Sequence, residues 1–280
     1  MTRQAADVQE LEISLFLEAL ARHQGYDFRH YAKASLRRRV LALTAAVGCR
    51  NVSELIPRVI HEENFLRQVL SHLSVPVSEF FRDPPVFRAL RETVVPLLHS
   101  YPRINVWLAG CANGEEAYSL AILLREEGLL ERTQIYATDI NDVALQKAED
   151  GIFPSRDLAD MERNYREGGG KADFSDYYNA SYGFIRMADS LRKNIVFAHH
   201  NLVSDGVFCE VQMIMCRNVM IYFDEQLQNR VLKLFHESLT RGGFLCLGNR
   251  ESLRHTDARA IFTTLDQELR IFRRAEEGRV

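Results

Sequence analysis

The turn Gly110-Cys-Ala-Asn-Gly114-Glu-Glu116 follows a short apolar run and opens a helical pattern, so small residues stand where backbone must approach a ligand. Further on, Asp139 ends a second apolar run, where an acidic side chain can accept hydrogen bonds from both hydroxyls of a ribose. A two-glycine turn alone is more often a plain strand-to-helix connection; turn and acid together point to nucleoside binding. A dinucleotide site calls for G-x-G-x-x-G, whose bare backbone seats a pyrophosphate at a helix N-terminus. Here the third glycine is missing and two glutamates, Glu115 and Glu116, occupy the helix start. Carboxylates there repel a pyrophosphate but suit a ligand with a cationic sulfonium, an amino group and no phosphate, a description that S-adenosylmethionine meets. His199 and His200 are neighbours in a strand-like run, so their side chains leave opposite faces, and no third ligand follows at metal spacing. No metal site is expected.

Chemistry of this kind needs a sheet to hold it. Ile104, Val106 and Leu108 alternate in a run ending at Ala109-Gly110, a helix begins after Gly114, a second run over 134–138 ends at Asp139, and another helix runs through Ala148. That βαβα series argues for a parallel sheet. Further strands are expected over 194–198, 211–216 and 243–248, the last after an amphipathic helix through Leu227, Val231, Leu234 and Leu239. A final pair, 261–265 and 268–273, closes the sheet antiparallel. Before the sheet, apolar residues recur at three and four in Ile13, Phe16, Leu17, Leu20 and in Phe65, Leu66, Val69, Leu70, Leu73, which predicts helices. Asp83-Pro84 reads as a helix start, the carboxylate capping free N–H groups, with the helix running towards Leu98 and kinked at Pro96. Residues 151–192, with Gly168-Gly169-Gly170 and the crowd Tyr177, Tyr178, Tyr182, Phe184, read as an insertion. The expected fold is an all-helical N-terminal subdomain with its linker over residues 1–82, followed by an α/β domain over 83–280 with a small β insertion around 165–192.

A composition of 46% hydrophobic and 26% charged residues is that of a globular chain with a core to close. Lys and Arg total 35 against 38 for Asp and Glu, and the net charge of −3 gives no global reason to bind nucleic acid or anionic lipid. Any basic function must be local, and Lys33, Arg37, Arg38 and Arg39 form the obvious run, although such a run is usually a solvated helix face. The five cysteines form no C-x-x-C pair and read as reduced core residues. No apolar stretch approaches the ~20 residues that span a bilayer, and the N-terminus lacks the order of a signal peptide. A cytoplasmic location is expected.

Gly110-Cys-Ala-Asn-Gly-Glu-Glu-Ala-Tyr-Ser119 closely resembles the GCSTGEEPYS turn of the chemotaxis receptor (CheR-type) methyltransferases. Ser78-Glu-Phe-Phe-Arg-Asp-Pro84 is similar to that family's T-x-F-F-R-D-P, Ala137-Thr-Asp-Ile140 to its A-[ST]-D-I, and Gly151-Ile-Phe-Pro154 to its G-x-Y turn. His200-Asn-Leu202 resembles its N-L pair. Cys216-Arg-Asn-Val-Met-Ile-Tyr-Phe223 matches the signature C-R-N-V-[ML]-I-Y-F almost letter for letter, and the motifs keep family order from about residue 31 to 252. Two departures stand out: Ser78 replaces the threonine, and Pro76 replaces an asparagine common two residues earlier, so a cofactor contact from that position is expected to be lost. Ala117 takes the place of a common proline.

The resemblance implies a class I, Rossmann-like methyltransferase sheet and a protein-glutamate O-methyltransferase. It would use S-adenosylmethionine, release S-adenosylhomocysteine and need no metal. It further implies that Gly110, Glu116 and Asp139 hold the amino-acid and ribose ends of the cofactor and that Asn201, Leu202, Arg217 and Asn218 line its remaining walls. Ser78 keeps the hydroxyl of the family's threonine, and Arg82 and Tyr222 fall near the transferred methyl. The implied acceptor is a glutamate on the helical cytoplasmic domain of a chemoreceptor, for which the basic run Lys33, Arg37, Arg38, Arg39 is the candidate dock. In some relatives the β insertion also grips a tethering peptide at the receptor C-terminus. Two other classes share parts of the pattern: a non-catalytic adaptor that binds S-adenosylmethionine, and a nicotinamide oxidoreductase, which the double glutamate and missing glycine oppose.

Overall fold

The computed structural model describes residues 3–254 and 256–275; the outermost ends of the two expected segments lie outside the described residues. The main sheet has seven strands: β1 (Ile104–Ala109), β2 (Thr133–Asp139), then β6 (Ile195–His199), β7 (Val211–Cys216), β8 (Leu239–Leu247), β9 (Phe262–Asp266) and β10 (Ile271–Arg274). Their order is β6-β2-β1-β7-β8-β10-β9, parallel from β6 to β8, with β10 antiparallel to both β8 and β9. Between them β3 (Ile152–Pro154), β4 (Tyr178–Ser181) and β5 (Phe184–Met187) form a separate antiparallel sheet in the order β3-β5-β4. The Rossmann-like sheet is present, and so is the small β insertion, although its first strand, Ile152–Pro154, lies before the expected bounds of 165–192.

Alternate residues of β1 serve different cores. Val106 and Leu108 enter the cluster that contains helix Glu115–Glu126, while Trp107 and Ala109 enter the one that contains helix Glu225–Ser238. Both faces of the sheet are therefore covered, and β1 is apolar almost throughout instead of alternating with exposed polar residues. Helices Arg3–Gln24, Lys33–Ala46, Leu55–His61 and Phe65–Leu73 close a third core, from Ile13 to Leu73.

Three local expectations are corrected. Asp83 does precede a helix with Pro84 at its first turn, but its carboxylate makes no capping bond; φ is 53° there and the side chain is engaged by Arg217. The helix towards Leu98 is accommodated by a π turn over Leu90–Val94 rather than by a simple kink. Widening the turn just before Pro96 absorbs the N–H that proline lacks. Leu239, read as the last apolar position of a helix, begins β8 instead: helix Glu225–Ser238 passes straight into the strand, four residues earlier than the glycines suggested.

Candidate active site

The strand order reverses between β1 and β7, and at such a switch point the carboxyl ends of neighbouring strands open a crevice. An open cleft lies there, walled on one side by the strand ends and on the other by the helical unit. At the end of β1, Gly110 has φ 79°, and a Cβ on it would come within 2.4 Å of Val219 Cγ2. Only glycine lets the turn pass. Gly110 and Cys111 donate their N–H groups to the Thr138 carbonyl, tying the turn to the end of β2. Asp139 finishes the tie, since one carboxylate oxygen accepts from Ala112 N at 2.9 Å and the other from Asn141 N at 3.0 Å. A carboxylate has about four acceptor positions, so capacity remains beside its backbone partners for a ribose hydroxyl. Burial raises the Asp139 pKa, and these backbone bonds oppose it.

Behind the turn, Glu116 and Arg217 are both buried and meet at 2.9 Å, and the other arm of Arg217 reaches Asp83 at 2.7 Å. Two carboxylates on one guanidinium leave one surplus negative charge beside the cleft. A cationic group placed against these two acids would complement them, while Arg39 and Arg82 bring positive charge to other parts of the same lining. Glu115, by contrast, does not line the cleft; burial pushes its carboxyl up to about 7. Arg82 is held between two non-glycine residues in left-handed backbone, Phe81 at φ 50° and Asp83 at φ 53°. The Phe81 N–H donates to Ser119 Oγ, and Asp83 is fixed by Arg217, so the surroundings enforce this strained presentation. The nearest acid to the Arg82 guanidinium is Glu79 at 3.8 Å, a loose pair.

The helical wall contributes Tyr31, Ser35, Leu36, Arg39, Leu73, Ser74, Val75, Val77 and Ser78. It is stitched to the strand ends by Ala32 N donating to the Tyr222 carbonyl, by a single antiparallel bridge between Tyr31 and Phe223, and by Asn141 Nδ2 donating to Ser74 Oγ. Pro76 has no side-chain amide, yet its carbonyl accepts from Asn113 Nδ2 at 2.7 Å, so the position stays joined to the first turn. Arg39 turns inward: it donates to the Leu73 and Ser74 carbonyls, and its guanidinium lies 5.1 Å from the centre of the Tyr222 ring. Arg37 donates to Gln9, whereas Lys33 and Arg38 are exposed. The four residues thus do not share one outward face.

Ser78, Arg82, Gly110, Glu116, Asp139, Asn201, Leu202, Arg217, Asn218 and Tyr222 all line this one cleft. Asn201 is buried and folds its own Oδ1 onto Val203 N. Sequence reasoning missed Tyr31, whose phenol pKa is raised by burial, and the buttress Asp83. It also missed Glu251, whose carboxylate lies beneath the segment carrying Asn218 and Tyr222. For Asp83 the signal was present, since an acid beside Arg82 in a strained turn need not be a cap. For Glu251 none was visible, because its partners are backbone groups.

Three buried polar atoms on cleft-lining residues, His200 Nδ1, Arg217 Nε and Asn218 Oδ1, have no hydrogen-bond partner among the described residues. Together with the surplus acid and the diol-ready Asp139, these walls fit S-adenosylmethionine.

Comparison with known proteins agrees. The model of the CheR methyltransferase SAM-binding domain matches residues 76–269, and that of the CheR all-alpha domain matches residues 11–74. A Pseudomonas putida protein, Cher3, whose name carries a provisional methyltransferase assignment, is 50% identical over 266 residues, covering 95% of this chain and 97% of that one. The chemotaxis protein methyltransferase of Listeria monocytogenes is 29% identical over 246 residues, covering 87% of this chain and 91% of its own. That of Vibrio anguillarum is 30% identical over 257 residues, covering 89% and 90%.

Proposed function

Because the chain belongs to the CheR methyltransferase family, we propose that it transfers a methyl group from S-adenosylmethionine to glutamate side chains of bacterial chemoreceptors, forming methyl esters. The observation that carries this reading is the Glu116–Arg217–Asp83 group, buried at Glu116 and Arg217 and partly exposed at Asp83, which sets two carboxylates on one guanidinium where a cationic cofactor would lie. When bound, S-adenosylmethionine supplies a methyl on a sulfonium leaving group. A glutamate carboxylate, with a pKa near ~4.3, is already ionised at neutral pH, so the protein needs no general base. What it must supply is orientation and removal of water. Asp139 holds the ribose and Glu116 the amino group, with Asn201, Leu202, Arg217, Asn218 and Ser78 closing the walls. Arg82, loosely paired, is free to orient a carboxylate with a charged fork. Tyr222, its ring faced by Arg39, positions the acceptor oxygen through its hydroxyl.

The acceptor arrives on a helix of the receptor's cytoplasmic domain, and Lys33 and Arg38 on helix Lys33–Ala46 are the exposed charges that meet it. No helix among the described residues is long and apolar enough to cross a membrane, and the reading assigns the enzyme to the cytoplasm, where that domain lies. The edge strand β4, exposed from Asn179 to Ser181, is the candidate seat for a receptor tethering peptide.

The test is the product. Incubation with methyl-labelled S-adenosylmethionine and chemoreceptor cytoplasmic fragments should give labelled receptor, and hydroxide should release the label as volatile methanol. Arg82→Ala and Tyr222→Phe should each slow transfer with S-adenosylhomocysteine still bound, as expected of contacts that matter in the transition state. Base-stable label would mean a nitrogen or ether acceptor and would defeat the ester assignment.

A further inference from the structure

Asn218, Val219 and Tyr222 of the cleft sit on one short segment between β7 and helix Glu225–Ser238. Its regular structure amounts to a single turn over Met220–Tyr222, and Asn218 holds φ 61°. One carboxylate gathers it. Glu251, 4% exposed, accepts four backbone N–H groups, two on each oxygen: Val219 at 2.9 Å and Met220 at 2.7 Å on Oε1, Asn218 at 3.1 Å and Gly248 at 2.6 Å on Oε2. Four donors fill the lone-pair positions of a carboxylate, so the group has no capacity for another role.

The surrounding chain is shaped to this arrangement. A Cβ on Gly248 would come within 2.8 Å of both Asn218 N and Glu251 Oε2, so a bare backbone is required there. Val219, whose N–H the carboxylate holds, packs its methyl against Gly110 so closely that a Cβ would fall 2.4 Å away. The position of one buried anion therefore reaches both the wall that carries Tyr222 and the first turn after β1.

We propose that Glu251 is a positioning residue for methyl transfer. Its ionised carboxylate sets the backbone from Asn218 to Met220, and through it aims the Asn218 amide at the cofactor and the Tyr222 phenol at the acceptor. This inference rests on the methyltransferase reading. A neutral amide of the same shape offers an acceptor to one pair of N–H groups and turns its own N–H₂ towards the other pair. The two halves of the nest then pull apart even though volume is conserved.

The experiment compares Glu251→Gln, Glu251→Asp and the wild type. S-adenosylhomocysteine binding is measured by calorimetry per binding-competent molecule, and kcat and KM are measured with a receptor fragment. For Glu251→Gln the dissociation constant should rise and kcat should fall by about tenfold each, with KM for the fragment within about twofold, because the docking face lies on another element. Glu251→Asp, which keeps the anion on a shorter stem, should recover part of both losses. A variant that is merely less stable would lose active fraction but keep the wild-type affinity in the molecules that remain folded, and that result overturns the proposal. Should Glu251→Gln fail to fold, amide hydrogen exchange on the wild type decides: Asn218, Val219 and Met220 must be as protected as β7, and exchange at loop rates would sink the idea. A wild type that binds S-adenosylhomocysteine yet methylates no receptor fragment removes the acceptor assignment alone, since the binding arm still tests Glu251.

Discussion

The two walls of the cleft handle charge differently. On the strand side the acids are tied to their neighbours: buried Glu116 and partly exposed Asp83 to the buried Arg217, Asp139 to the backbone of its own turn. On the helical side, Arg39 alone of the basic run turns inward, while Lys33 and Arg38 face solvent. Buried, tied charges cannot re-aim, so they suit a ligand of one fixed shape. Exposed ones adjust at little cost and suit a large partner approached from many angles. Cofactor and acceptor are thus recognised by different physics within one crevice.

The hardest blow to this contrast is Arg217→Ala, which leaves two acids without their shared cation. Breaking a buried pair from one side costs about 3–5 kcal/mol, and chemical denaturation should show a loss of that size with no measurable S-adenosylhomocysteine binding. Unchanged stability would mean the strand wall is not coupled. Asp139→Ala should weaken cofactor binding by about 1–3 kcal/mol in calorimetry; wild-type affinity would mean the ribose is held elsewhere.

Glu115 sharpens the comparison through pH. Its folded pKa of about 7 lies above the ordinary carboxyl value of 4.5, so the folded state holds the proton more tightly. Stability from this group is present below 4.5 and is lost as pH rises towards 7. Glu115→Gln should therefore melt a few degrees higher than the wild type at pH 8 and show no such gain at pH 4. A gain of equal size at both values would refute the buried charge. The smallest effect is expected at the helical wall: reversing Lys33 and Arg38 to glutamate should raise KM for a receptor fragment, by about 0.2–1 kcal/mol per charge, and leave cofactor affinity alone. Added salt should weaken the wild type in the same direction, and a salt-independent KM would return these residues to the solvated face.

The strand side was the more legible because its chemistry depends on position in a pattern. Gly110 and Asp139 end apolar runs, and a strand that ends at a switch point can only present its last residues to the crevice. The arginine run was read less well for a reason the helical period itself contains. Successive residues turn by about 100°, so Arg37, Arg38 and Arg39 cannot share a face, and Arg39 takes the inward one. Leu239 continued an apolar helical spacing, yet Thr240 and the glycines after it belong to the strand, and the local pattern had no means of choosing. Glu251 lay beyond reach altogether. Three of its four partners are N–H groups of residues some thirty positions earlier, and backbone donors have no letter in a sequence.

The bridge between Tyr31 and Phe223 bears on how the molecule is made. The helical unit leaves the ribosome first and carries a core of its own, from Ile13 to Leu73. The edge it docks on is not synthesised until about 190 residues later, an interval on the order of 10–40 s at roughly 5–20 residues per second. Throughout that time Tyr31 lacks its partner strand, although the segment after helix Phe65–Leu73 can already meet Asn113 and Asn141. The nascent chain must either keep this unit folded on its own slender core or shelter it with a chaperone, and the crevice is complete only once the segment around Phe223 has emerged.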